Sequence, residues 1–172
     1  MAVNPKLRPG RDAHVDRPAP AIVLVEPQLG ENIGAVARVM LNFGLTDLRL
    51  VAPRDGWPNE KAIAMASGAA RVVEGAKLSR ATAEALAGAQ FVAAMTARPR
   101  ESLTPVMTPE EAAREMHART LRGEVCALML GAERAGLSNE DVARADAIVS
   151  IPVNPAFASL NLAQAACVFA YE

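Results

Sequence analysis

Four short runs of mostly apolar residues constrain the fold more than any other feature of the sequence. They occupy residues 21–25, 48–52, 91–95 and 125–130. A short apolar run between polar or turn-forming residues is typical of a strand that is buried on both faces of a sheet. The segments between the runs carry helical signals. The alternation predicts an α/β domain with a mostly parallel sheet flanked by helices on both faces.

The chain is expected to form one domain, residues 21–172, after a flexible arm, residues 1–20. The arm is polar and rich in proline, and it lacks the apolar core of a signal peptide. No apolar run reaches the length of a membrane span, so no membrane partner is expected. Cys126 and Cys167 stand in separate apolar runs. They are interpreted as buried thiols of a protein in the reducing cytoplasm.

Local patterns predict several element boundaries. Apolar spacing predicts a helix over residues 33–43, for which Asn32 is a natural N-cap. A pair of valines favours a short strand at residues 71–74. Ser159 is the expected N-cap of a last helix over residues 160–171. This last helix is nearly uncharged, and such helices are usually buried or form an interface.

Most common functional motifs are absent from the sequence. No GxGxxG, GxxxxGK[ST], HExxH, GxSxG or paired CxxC motif occurs, and no cluster with metal-ligand spacing is found. The two histidines, His14 and His117, stand in polar surroundings. The net charge is -1, which gives no overall basic excess for nucleic acid. An RNA site would therefore be a local basic patch.

Three segments that follow predicted strands carry the remaining signal. They are the NxGxxxR pattern at residues 32–38, the GxExxGL pattern at residues 131–137, and the I-P…S-L-N pattern at residues 151–161. In this order they resemble the three motifs of the SPOUT superfamily of RNA methyltransferases, in particular the TrmH-like ribose 2′-O-methyltransferases. The segment from Asn154 to Glu172 looks most like the TrmJ branch. The resemblance covers about residues 20 to 172.

The resemblance implies a fold, a cofactor and partners. It implies a deep C-terminal trefoil knot, with S-adenosylmethionine bound inside it, and a homodimer with helices of both copies near the site. The implied substrate is tRNA, methylated at nucleotide 32 of the anticodon loop. TrmJ-like enzymes commonly carry a C-terminal extension, so this chain is expected to be a short member or a truncated one. No metal is required.

Arg38 has two interpretations. Helical geometry places it off the apolar stripe, as a solvated arginine would be. The resemblance makes it the catalytic arginine. Because a guanidinium is a poor base, the expected role is binding an RNA phosphate and stabilising the developing 2′-oxyanion.

The other catalytic candidates implied by the resemblance are Asn32, Glu133, Ser159 and Asn161. For Asn32 the capping role and an orienting role are weighed equally. Glu133 is expected near the site, where it supports the loops of the knot. The expected cofactor contacts are Met95, Thr96, Ala97, Gly131, Ile151, Ala158, Ser159 and Leu160, and the expected RNA contacts are Arg38, Arg98, Arg100 and Arg134.

Three alternatives remain open. The first is a ribosomal RNA methyltransferase of the same superfamily. The second is a binding module for cofactor or RNA without activity, which the joint presence of Asn32, Arg38, Ser159 and Asn161 disfavours. The third is an α/β nucleotide-binding oxidoreductase, which the missing glycine fingerprint disfavours.

Overall fold

The computed structural model describes residues 18–97 and 103–172. The strands in these residues are β1 (Ala21–Val25), β2 (Leu48–Val51), β3 (Lys77–Ser79), β4 (Phe91–Met95), β5 (Val106–Met107), β6 (Cys126–Leu130) and β7 (Ala147–Val149). The helices are α1 (Gly30–Asn42), α2 (Glu60–Ala66), α3 (Ala70–Glu74), α4 (Thr82–Ala85), α5 (Pro109–Leu121), α6 (Asn139–Val142) and α7 (Leu162–Tyr171). Most of the predicted arm lies outside the described residues.

The strands form one sheet in the order β3-β2-β1-β6-β4-β7-β5. Every strand pair in it is parallel. The predicted parallel α/β architecture is therefore confirmed. Because all the strands point the same way, the loops that follow β4, β6 and β7 leave the sheet at the same edge.

Alternating side chains of each strand serve two separate apolar layers. In β1, Ile22 and Leu24 join a cluster that α1, α2, α3, α5 and α7 cover, whereas Val23 joins a cluster that α4 and α6 cover. β1, β4 and β6 are buried along their whole length. The sheet thus has helices on both faces, as the continuous apolar runs predicted.

The predicted strand at residues 71–74 is wrong, because these residues form helix α3. Val72 and Val73 are buried against the α1 side of the sheet. Their burial in this tertiary setting outweighs the modest preference of valine for strands. Strand β5, at the edge of the sheet, was not predicted from the sequence.

The last helix begins later than predicted. Its N-cap is Asn161 rather than Ser159. The Asn161 side chain accepts a hydrogen bond from the Gln164 backbone N–H at 2.8 Å, and the Gln164 side chain accepts one from the Asn161 N–H at 3.0 Å. This reciprocal capping box satisfies two backbone donors at once, which fixes the helix start.

α7 buries one face and exposes the other. Leu162, Ala166 and Phe169 are buried, whereas Val168 and Tyr171 are exposed. None of the described helices has the length and apolar character that crossing a membrane would require. The strand order defines which strands are neighbours, and the trefoil knot stays a prediction.

Candidate active site

A cleft of about 770 Å³ opens at the edge of the sheet where β4, β6 and β7 end. Ligands of open parallel sheets bind at this edge. All the predicted cofactor contacts line the cleft: Met95, Thr96, Ala97, Gly131, Ile151, Ala158, Ser159 and Leu160. The start of α1 contributes Leu29 and Asn32. The fold therefore brings three distant loops and one helix terminus to a single place.

The loop after β6 is a tight turn. Ala132 and Gly136 form an isolated antiparallel bridge, in which the Gly136 N–H donates to the Ala132 carbonyl at 2.7 Å. A Cβ atom added to Gly131 would lie 2.2 Å from the backbone of Gly136 and of Leu137. Only glycine fits at position 131, because the turn folds back directly over it.

Glu133 joins this turn to the first helix. Its Oε2 accepts a hydrogen bond from the Gln28 N–H at 2.7 Å, and its Oε1 accepts one from the Leu29 N–H at 3.2 Å. Oε1 also accepts a hydrogen bond from Nδ2 of Asn32 at 2.8 Å. A carboxylate at a helix N-terminus is stabilised by the helix dipole and by N–H groups that lack partners within the helix. Glu133 therefore caps α1 from another part of the chain.

The prediction of Asn32 as an N-cap is wrong. The N-cap of α1 is Leu29, which has no capping side chain, and Asn32 lies within the first turn of the helix. Nδ2 of Asn32 is bound to Glu133. The amide group of Asn32 therefore has Oδ1 as its remaining acceptor beside the cleft.

The pKa of Glu133 follows from these contacts. Burial raises the pKa, but hydrogen bonds from the Asn32 side chain and from backbone N–H groups lower it more, so the net pKa lies below that of an ordinary glutamate. A group with a lowered pKa in the folded state stabilises the protein above the pKa of the unfolded chain. That contribution is lost as the pH falls through the folded-state pKa.

We expect Glu133→Gln to lower the free energy of unfolding by about 1 to 2 kcal/mol at pH 7, because an NH₂ group then faces N–H donors. The difference from wild type should shrink in acid, as the pH falls through the lowered folded-state pKa of Glu133 and the glutamate itself becomes protonated. Urea denaturation at pH 7 and in acid measures this difference in the free energy of unfolding. Glu74→Gln, at an exposed position, is the matched control. An equal difference at both pH values would contradict the account.

Ser159 and Asn161 lie on the segment between β7 and α7, and both line the cleft. Ser159 is exposed and does not cap the helix. Oδ1 of Asn161 accepts the capping hydrogen bond, which fixes the orientation of the amide. Asn161 therefore has its Nδ2 donor available beside the cleft.

The arginines predicted to contact RNA differ in their position relative to the cleft. Arg134 lines the cleft and is exposed. Arg38 is exposed on α1 and does not line the cleft. It is about 9 Å along the helix axis from Asn32 and about 120° around it, by regular helix geometry. Arg98 and Arg100 lie outside the described residues.

Several cleft residues were not predicted from the sequence, among them Val153, Phe157 and Gln164. The signal for Phe157 was present, since it is an aromatic residue in a proline-containing loop between two motif positions. A second cavity of about 500 Å³, at the ends of β1 and β2, contains none of the predicted site residues. Within the part of the chain that the structure describes, no group of three potential metal ligands is found.

Comparisons with known proteins identify the family of the chain. The sequence profile of the SpoU rRNA methylase family matches residues 19–171. The tRNA (cytidine/uridine-2′-O-)-methyltransferase TrmJ of Escherichia coli K12 is 42% identical over 151 residues, which are 88% of this chain and 61% of that protein. The chain thus spans about three fifths of the length of this curated relative.

Solved structures show the same fold. The crystal structure of TrmJ from Z. mobilis ZM4 is 57% identical, with a TM-score of 0.84, and the match covers 89% of this chain and 67% of that one. AviRb from Streptomyces viridochromogenes, in complex with the cofactor AdoMet, is 19% identical with a TM-score of 0.68, covering 91% of this chain and 60% of that one. The latter likeness concerns the fold alone. Given the family match over nearly its whole length and its likeness to TrmJ in sequence and fold, the chain belongs to the SpoU rRNA methylase family.

Proposed function

We propose that this chain is an S-adenosylmethionine-dependent methyltransferase that modifies the ribose 2′-hydroxyl of RNA, with tRNA as its substrate. The observation that carries the proposal is the cleft at the ends of β4, β6 and β7. It unites Asn32, Glu133, Ser159 and Asn161 with the expected cofactor contacts. The TrmJ relatives are named for tRNA 2′-O-methylation.

The residues present fit the cofactor. The cleft volume of about 770 Å³ lies within the usual range for small-molecule sites. The segments after β4, β6 and β7 would hold the cofactor largely through backbone groups, which suits walls built from Ala97, Gly131 and Ala158. The close turn over Gly131 keeps that part of the wall free of a side chain.

When bound, S-adenosylmethionine supplies an electrophilic methyl group on a sulfonium. The residues of the chain have to hold the 2′-oxygen in line with that methyl group and exclude water, which together supply most of the acceleration. Asn161 offers a donor and Asn32 an acceptor beside the cleft, and both amides are oriented by hydrogen bonds. We assign these two amides to the orientation of the ribose.

Glu133 acts as a positioning residue in this scheme. Its carboxylate already accepts hydrogen bonds from Gln28, Leu29 and Asn32, and its pKa is lowered. A carboxylate of low basicity with several donors is a weak proton acceptor. Its effect on the reaction is to hold the start of α1 against the loop after β6.

The proposal includes a homodimer. Three exposed apolar residues lie close to one another in the fold: Phe43 at the C-terminal end of α1, and Val168 and Tyr171 on α7. Phe43 meets Tyr171 edge-on, with ring centroids 6.3 Å apart. Exposed apolar patches of this kind mark interfaces. A second copy would also explain why Arg38 lies outside the cleft of its own chain. We propose that Arg38 of one copy serves the cleft of the other, where it binds an RNA phosphate and stabilises the 2′-oxyanion.

The target nucleotide is proposed to be nucleotide 32 of the anticodon loop, on the strength of the resemblance to TrmJ. A tRNA substrate implies a cytoplasmic location. Arg98 and Arg100, in the segment after β4, remain proposed RNA contacts together with Arg134.

Cofactor binding tests the first step of this proposal. We expect saturable heat on titration with S-adenosylhomocysteine and an upward shift of the melting temperature. Ligand at about 100 times its Kd stabilises the folded state by about 2.7 kcal/mol. NADH serves as the control ligand and should give no comparable shift. The absence of both heat and thermal shift at millimolar S-adenosylhomocysteine would count decisively against the proposal.

A further inference from the structure

We infer that Phe157 is a stacking platform for a nucleobase of the RNA substrate, at the mouth of the cleft. The inference rests on the proposed function and names a contact at a position between the defined residues of the third motif. Phe157 lines the cleft and is 77% exposed. A phenylalanine ring that stays exposed beside a cleft buries little apolar surface and so contributes little to the stability of the fold. Its position therefore points to contact with a ligand.

The other aromatic residues of the chain have structural roles. The sequence contains only four phenylalanines, one tryptophan and one tyrosine. Phe91 and Phe169 are buried, and Trp57 packs against the core. Phe43 and Tyr171 contact each other. Phe157 is therefore the aromatic residue that the fold does not use.

A turn holds Phe157 in place. The Phe157 N–H donates to the Asn154 carbonyl at 2.9 Å, and the Ala156 N–H donates to Oδ1 of Asn154 at 3.0 Å. Pro155 follows Asn154, and proline favours the second position of such a turn because its φ angle is already set. The ring is thus presented on a preorganised backbone, which reduces the entropy lost on binding.

The surroundings of Phe157 favour RNA as the occupant. Ala158 and Ser159, the next residues along the chain, line the same cleft, so a ribose in the cleft would place a base near the ring. Arg134 also lines the cleft and forms no ion pair with a residue of the described ranges. Proteins that bind single-stranded RNA combine aromatic platforms for unstacked bases with cations for phosphates.

The test compares Phe157→Ala, Phe157→Leu and Phe157→Tyr. We expect the alanine and leucine variants to raise KM for unmodified tRNA transcripts roughly 5- to 150-fold, the range of base–aromatic stacking, with little change in kcat. The tyrosine variant should retain the wild-type KM, because it keeps the ring. Leu121→Ala, an exposed apolar residue on α5 and outside the cleft, is the matched control.

Binding of the same transcripts, followed by fluorescence anisotropy with S-adenosylhomocysteine present, should show the same order of variants. A wild-type KM for Phe157→Ala would overturn the inference and leave the proposed function intact. The inference also fails if Phe157→Ala loses affinity for S-adenosylhomocysteine, because the ring would then contact the cofactor. It fails as well if light scattering shows that the variant dissociates from dimer to monomer, because the ring would then contact a second copy. If the wild-type protein itself neither binds nor methylates RNA, both proposals fall.

Discussion

Replacing Arg38 by alanine is expected to lower the rate of methyl transfer roughly 10²- to 10³-fold, the usual loss when a donor to a developing oxyanion is removed. Affinity for S-adenosylhomocysteine should be nearly unchanged, because Arg38 does not line the cleft of its own chain. The free energy of unfolding should change by less than about 0.5 kcal/mol, as is usual at exposed positions. Single-turnover kinetics measures the rate, calorimetry measures the affinity for S-adenosylhomocysteine, and urea denaturation measures the free energy of unfolding.

Arg38→Lys distinguishes geometry from charge. A lysine keeps the charge but lacks the planar fork that binds phosphate in a bidentate manner, so it should restore little of the activity. Arg114→Ala is the matched control, since Arg114 is also an exposed helical arginine but pairs with Glu110 on α5. Wild-type turnover by Arg38→Ala would return Arg38 to the role of a solvated surface residue.

Mixing variants tests whether Arg38 acts on the cleft of the other copy. Asn161→Asp retains a capping oxygen for α7 but removes the Nδ2 donor, so this chain should be folded and inactive. If Arg38 serves the other copy, a refolded mixture of Arg38→Ala and Asn161→Asp chains contains hybrid dimers with one complete site. Random pairing should then restore about one quarter of the wild-type activity, since half of the dimers are hybrids. No restoration, in a mixture shown to contain hybrids, would place Arg38 in its own cleft.

The second large effect is expected for Gly131→Ala. A Cβ atom at this position would lie 2.2 Å from backbone atoms of Gly136 and Leu137, and no side-chain rotation relieves a backbone overlap. The turn has to move, and it carries both the cleft wall and Glu133. We expect at least about a tenfold loss of affinity for S-adenosylhomocysteine, together with a loss of stability of roughly 1–3 kcal/mol, as is typical of overpacking.

Gly75→Ala is the control for this substitution. Gly75 has a right-handed helical conformation at the end of α3, outside the cleft. A Cβ atom added there would lie 3.1 Å from the Arg71 carbonyl oxygen, its nearest neighbour beyond the adjacent residues. The control should therefore bind the cofactor as wild type does. Unchanged cofactor affinity in a folded Gly131→Ala protein would show that the turn after β6 does not shape the site.

The sheet and the place of the cleft could be predicted from the sequence because both depend on short-range patterns. Continuous apolar runs marked β1, β4 and β6, which are buried on both faces. Thr108 and Pro109 have the sequence pattern of a helix start, and a capping box forms there at the start of α5. Once the sheet was expected to be parallel, the loops after its strands had to meet at one edge.

The capping of α1 could not be predicted in this way. Asn32 looked like an N-cap, but the start of α1 is capped by Glu133, which is 101 residues away from Asn32 in the sequence. No local pattern contains that contact. The start of α7, in contrast, was misplaced although its signal was local, because Asn161 and Gln164 have the spacing of a capping box.

The most direct test of the proposed function is mass spectrometry of nucleosides from unmodified tRNA incubated with the purified protein and isotopically labelled S-adenosylmethionine. We expect a labelled ribose-methylated cytidine or uridine that maps to nucleotide 32, and we expect this product to be lost with Arg38→Ala. Label on a base, or no transfer by a protein that binds both cofactor and tRNA, would contradict it.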